Sequence, residues 1–151
     1  MKNKTIAVWL TLLVGPLGAH RIYLKGKFDS IAIALFLTTA AGIFGALRVR
    51  TYGVDDQLSW FFLPWAGVAI AACALTAIVY GLMDIEKWNR QYNPDLNVET
   101  PAGRSNWFTI FGVAAALFIG ATALLASIAF TFQHYFEYQA DRAATSLNGQ
   151  Q

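Results

Sequence analysis

The residues with which this chain could do chemistry are few, and most of them fall in one stretch. Gly15-Pro16-Leu17-Gly18-Ala19-His20-Arg21-Ile22-Tyr23-Leu24 ends an apolar run with two glycines, a proline and an adjacent imidazole and guanidinium. Glycine at 15 and 18 lets another backbone or a lipid chain come close. Arg21 offers paired donors to a phosphate or carboxylate, and Tyr23, Lys25 and Lys27 extend the same polar edge. One reading is a binding site for a lipid headgroup or a partner; the other is an ordinary positive flank beside a membrane helix. Asp84 joins the candidates because it closes a long apolar run after Tyr80 and Gly81. A carboxylate at that depth is costly unless paired. His20 or Arg21 would suit it if the two helix ends meet, and Lys87 or water would serve as well.

Catalysis finds little to work with. His20 and His134 stand without a carboxylate or cysteine at metal-ligand spacing, and no nucleophile motif or phosphate-cradling glycine loop occurs. The expectation is a protein that is not an enzyme and holds no cofactor or metal. Cys73, the single cysteine, lies among Ala71, Ala72, Ala74 and Leu75 and reads as a small packing residue. His134, between Phe132 and Tyr135, reads as part of an interfacial aromatic cluster.

The elements that must position these residues are membrane helices. Of the 151 residues, 56% are hydrophobic and 13% charged, against roughly 25% charged in a soluble domain. A formal charge of +2, with the basic residues scattered, argues against nucleic acid as a partner. Four apolar runs are visible. The first, Thr5 to Ala19, follows Lys2 and Lys4 and superficially resembles a signal peptide, but Leu17 suits a cleavage site poorly and apolar residues resume at Ile22, so a retained helix is expected, kinked or re-entrant at Pro16. After a turn at 25–30, with Asp29 or Ser30 as the cap, a second helix is read from Ser30 to Leu47 and a loop from Thr51 to Gln57 that includes Gly53, Asp55 and Asp56. The third run, Leu58 to Ile85, carries Pro64 within an aromatic cluster of Trp60, Phe61, Phe62 and Trp65, which places its start in the interface. A polar connection from Glu86 to Asn106 precedes the fourth helix, which begins near Trp107 and stays apolar to Phe132.

No charged residue lies between Ser30 and Leu47, Leu58 and Met83, or Trp107 and Gln133, so no helix centre carries a proton relay or voltage sensor. Gly112, Ala116 and Gly120 share one helix face, as do Gly42 and Ala46; such small residues serve an intrachain contact or an oligomer seam, the former being the preferred reading. A small oligomeric transporter or channel is the alternative function, with Thr38, Thr39, Thr76, Thr109, Thr122 and Ser127 along its path, unless these hydroxyls bond back to their own helices. Four crossings put Arg21, Lys25, Lys27, Lys87, Arg90 and Arg104 on one side and Lys2, Lys4, Arg48, Arg50 and Arg142 on the other, a balance that sets no orientation.

The stretch from Gly15 to Leu24, after a basic start at Lys2 and Lys4, resembles the signature of the TM-two (TM2) domain family, small membrane hairpins with a Gly-Gly-x-Gly-x-His-Arg-Phe-Tyr-Leu-Gly pattern. Tyr80-Gly81-Leu82-Met83-Asp84 is similar to the family's closing element with tyrosine for tryptophan. Ile22 stands for the usual Phe, Pro16 for a small residue, and Lys25 separates Leu24 from Gly26; the 59 residues between Leu24 and Asp84 imply an insertion. The resemblance implies no reaction. The expected architecture is an all-α integral membrane helical bundle of about four transmembrane helices, the first short or kinked. Residues 1–92 form the TM2-like part with its insertion, 93–106 a polar loop, 107–140 an additional helix and 141–151 a fraying tail. The expected role is a non-enzymatic protein- or lipid-interaction module in a bacterial inner membrane, with membrane lipids, another membrane protein or a second copy as partners.

Overall fold

The computed structural model describes residues 1–53 and 56–148. Among the described residues six α-helices follow one another: α1 Lys4–Val14, α2 Ala19–Lys25, α3 Ser30–Tyr52, α4 Gln57–Leu82, α5 Ile85–Tyr92 and α6 Trp107–Asn148, with 3-10 turns at Gly15–Leu17 and Pro101–Gly103. Three of them, α3, α4 and α6, are long and apolar enough to cross a membrane. At 1.5 Å per residue, α3 and α4 reach about 35 and 39 Å, enough for a hydrocarbon core of about 30 Å. Their outward faces carry exposed Ile, Leu, Phe and Val side chains, as a lipid-facing surface requires. The chain is an integral membrane helical bundle.

Polar residues start the helices. Asn3 caps α1, accepting from the amides of Thr5 and Ile6. Asp29 caps α3 through the Ala32 amide, as anticipated, and Asp56 caps α4 through Ser59. Each satisfies donors that helix geometry leaves open.

The first apolar run is short and broken, and it turns back. Pro16 sits in the 3-10 turn, where its missing N–H is no loss. Gly18 follows with φ 79°, a left-handed conformation in which a Cβ would also meet Ala32 at 2.9 Å. From there α2 returns toward the chain's start: Lys2 Nζ donates to the Leu24 carbonyl, and Tyr23 Oη accepts from the Asn3 amide at 2.8 Å. Residues 1–26 therefore form a hairpin whose two ends lie at the same end of the bundle.

Small residues set the remaining contacts. A Cβ on Gly42 would strike Ala66, and one on Gly45 would strike the Leu63 amide and the Phe62 carbonyl carbon, so α3 and α4 touch backbone to backbone. The α3 seam is Gly42 and Gly45; Ala46, expected to share it, is exposed, because Gly45 rather than Ala46 continues the face that α4 covers. Gly67 abuts Ala123 and Ser127, Gly120 abuts Ala74, and Gly112 abuts Val8 and Trp9. Ala116 is fully buried. The stripe of 112, 116 and 120 thus faces α1 and α4 of its own chain.

Several boundaries move. The second apolar helix runs on to Tyr52, and the expected loop shrinks to the residues around Gly53 and Asp56; Asp55 lies outside the described residues. Pro64 does not divide α4. Within the polar connection the structure has α5, and the tail expected to fray is helical as far as Asn148.

Gly45→Ala should destabilise the detergent-solubilised protein by about 1–3 kcal/mol, the range typical of overpacking, and so lower its melting temperature, while Ala46→Leu leaves it within error. Differential scanning fluorimetry on the two variants checks this.

Candidate functional site

The helix and turn that hold His20 to Asp29 bring the charged residues of this region onto one another. Arg21 donates from Nε to both carboxylate oxygens of Asp29, at 3.0 and 3.1 Å, and from Nη2 to Oδ2. Lys25 adds a contact to the same carboxylate at 3.2 Å. The Arg21 hydrogen bonds, with the Ala32 amide and Lys25, hold the Asp29 carboxyl well below its usual range. Arg21 is thus a bridge that staples α2 to the cap of α3.

The same device recurs at the opposite end of the bundle. Arg48, in the last turns of α3, donates to Asp56 at 2.8 and 2.7 Å, and Asp56 caps α4. In both cases the arginine lies eight residues before an aspartate that caps the next helix. That spacing, Arg21 to Asp29 and Arg48 to Asp56, is readable in the sequence and is the signal for these turns.

The expected pairing of Asp84 with His20 or Arg21 does not form. Asp84 caps α5 through the Glu86 amide at 3.2 Å. Asp29 takes Arg21 because it lies on the turn immediately after α2, so little chain has to be ordered to close that contact. His20 is buried beside Tyr80, with ring centroids 6.4 Å apart, and its Nδ1 has no hydrogen-bond partner. Tyr23 is spent on the Asn3 amide. Of the candidate binding residues, Lys25 and Lys27 remain on the surface, and Lys27 has no ion pair among the described residues. Gly15 faces Cys73 on α4, and Gly18 faces Ala32 on α3, so both serve close helix contact.

Sequence reasoning missed the residues that lock the N-terminus. Lys4 is 2% exposed and donates to the Met83 carbonyl at 2.5 Å, at the C-terminal end of α4, where a helix favours a cation, and to Ser105 Oγ at 2.9 Å. Trp88 Nε1 and Asn93 Nδ2 both donate to the Lys2 carbonyl at 3.0 Å, and the Lys2 amide donates to Asn93 Oδ1 at 2.7 Å. Asn89 donates to the carbonyls of Val98 and Thr100 and gathers the loop. The signal was the placement of Ile85, Trp88, Asn89 and Tyr92 at helical spacing inside an otherwise polar segment.

Four of the six hydroxyls expected along a polar path bond back to their own helices, Thr39 and Thr109 also reach another segment, and Thr122 is exposed. Thr38, Thr39, Thr76 and Ser127 donate to carbonyls one turn back, and Thr109 bonds to Asn106 at the start of α6. At the far end His134 stacks on Trp60 at 4.4 Å, and the Glu137 carboxylate, three residues on along the helix, lies 3.2 Å from its Nδ1, contrary to the expectation that this histidine has no neighbouring carboxylate. No group of three or more His, Cys, Asp or Glu with metal-binding geometry occurs among the described residues.

Residues 1–48 match the family model of the TM2 domain. The match covers the hairpin and α3 as far as Arg48, and the Tyr80–Asp84 stretch falls outside it. No match is found among curated proteins or solved structures.

The clamp predicts a thermodynamic coupling. Arg21→Gln and Asp29→Asn should each destabilise, and the double variant should lose much less than the sum, whereas Arg21→Gln combined with Asp84→Asn should be additive. Because the folded-state carboxyl of Asp29 is held below its ordinary value of 3.8, its contribution is present above that value and is lost as pH falls through and below it. The melting temperature of Asp29→Asn should therefore fall less steeply than wild type on acidification from pH 6 to pH 3.

Proposed function

We propose that this protein works without catalysing a reaction, as an interaction module of a bacterial inner membrane, and that it engages acidic phospholipid headgroups through one end of its bundle. The observation that carries the reading is the division of labour among the cations at that end. Arg21 is consumed by Asp29, and Lys4 is consumed by the Met83 carbonyl and Ser105. Lys27, Lys87 and Arg104 are exposed, and no ion pair holds any of them among the described residues. Apolar anchors that suit an interface are close in sequence to two of them: Phe28, 49% exposed next to Lys27, and Trp107, 70% exposed at the start of α6 and three residues after Arg104.

The helix α5 supports the same reading. Its Trp88 and Asn89 are buried against the bundle, while Glu86, Lys87 and Arg90 point outward, so it lies across the helix ends with a charged face toward the headgroups. A basic residue near an anionic leaflet contributes about 1 kcal/mol, which makes three of them a measurable but salt-sensitive attraction.

Purification in mild detergent followed by quantitative lipid analysis tests the proposal. The wild type should retain phosphatidylglycerol over phosphatidylethanolamine, and the variant combining Lys27→Glu, Lys87→Glu and Arg104→Glu should lose that preference while keeping its melting temperature. An unchanged lipid ratio in the folded variant would contradict the lipid reading. So would a copurifying protein lost in the same variant with the lipid ratio unchanged.

A further inference from the structure

The hairpin at the start of the chain changes the count of membrane crossings, and with it the distribution of charge. The apolar helical stretch Lys4–Leu17 has 14 residues, or about 21 Å, short of the roughly 30 Å hydrocarbon core. Its return through α2 brings Leu24 to Lys2 and Tyr23 to Asn3. The bundle then has three crossings, α3, α4 and α6, not four. Contacts order the helix ends: Lys4 meets Met83 and Ser105, Thr5 meets Thr109, and Trp9 meets Phe108, so the N-terminus, the end of α4, α5 and the start of α6 share one end. Arg48 with Asp56, and Trp60 with His134, mark the other.

On this arrangement Lys2, Lys4, Arg21, Lys25, Lys27, Lys87, Arg90 and Arg104 all lie at the first end. Arg48, Arg50 and Arg142 lie at the second. Eight of the chain's 11 basic residues are thus on one side and three on the other, and all sit in short connections or near helix ends, where the positive-inside bias applies. Acidic residues weigh little in that bias, so the five carboxylates of the first end do not offset it.

We infer that the protein crosses the membrane three times, with its N-terminus, the turn at 25–29 and α5 presented to the cytoplasm and the end of α6 presented to the opposite side. The surface formed by the hairpin mouth, α5 and the connection to α6 is then a cytoplasmic platform, and its exposed cations meet the inner leaflet. The orientation follows from charge and topology and does not depend on the lipid preference.

Single cysteines on a Cys73→Ala background test it, at Phe28→Cys, Tyr52→Cys, Leu96→Cys and Tyr138→Cys, together with an N-terminal epitope tag. In intact cells a membrane-impermeant maleimide should label positions 52 and 138, while positions 28 and 96 should label only after permeabilisation and the tag should resist added protease. Reporter fusions after residues 28, 97 and 148 give an independent reading where a cysteine variant does not accumulate. Finding the tag and residue 28 on opposite sides would overturn the hairpin. Labelling of 28 and 96 in intact cells, with 52 and 138 protected, would overturn the orientation.

Discussion

A backbone that turns inside hydrocarbon must satisfy its own polar groups, and the rest of this structure depends on how the Gly15–Gly18 turn meets that requirement. Irregular backbone is tolerated at such depth only where protein covers it. Here the Gly18 amide bonds to the Gly15 carbonyl at 2.7 Å, the Arg21 amide bonds to the Gly18 carbonyl at 3.0 Å, and Thr39 of α3 donates to the Pro16 carbonyl at 2.8 Å. Gly15 and Gly18 are buried because the absence of a side chain lets α4 and α3 approach. A substitution that pushed those helices away would expose the turn to lipid as well as straining it.

Once the turn is covered, the charged residues arrange themselves around helix ends. Asp29 and Asp56 each cap a membrane helix and receive an arginine from the preceding one, on opposite sides of the bundle. A carboxylate near the hydrocarbon boundary is costly alone and tolerable when it is both hydrogen-bonded to backbone amides and paired. Lys4 follows the same logic with the polarity reversed, its ammonium held by the carbonyl that ends α4. The polar chemistry of the N-terminal signature is in this sense mostly architectural. Among the described residues Lys27, Lys87 and Arg104 stay outside these internal ion pairs.

Much of this was legible in the sequence. Run length and composition marked α3, α4 and the start of α6, and a cap at Asp29 or Ser30 was visible because a turn precedes these residues and an apolar helix follows, while only the structure selects Asp29. The signature around His20 pointed to the TM2 family, which the match over residues 1–48 supports. Pairing was less legible, since Asp84 and Asp29 are both plausible partners for Arg21 until the hairpin decides which lies nearby. The seam on α3 was misjudged by one residue because four-residue spacing selects Ala46, whereas the approach of α4 selects Gly45. The helix α5 was hidden because its register of Ile85, Trp88, Asn89 and Tyr92 sits among charges, so its buried face emerges only when Trp88 and Asn93 are seen to hold the Lys2 backbone.

On the proposed topology the first apolar run returns to the side from which it enters. The most direct measurement is the distance between spin labels placed near Met1 and at Phe28→Cys in the protein reconstituted into lipid nanodiscs, read by pulsed electron–electron resonance. A hairpin places both labels at one end of the bundle, at a separation clearly below the roughly 30 Å thickness of the hydrocarbon core. A distribution centred at or beyond that thickness would mean that the run spans the membrane and would contradict the account.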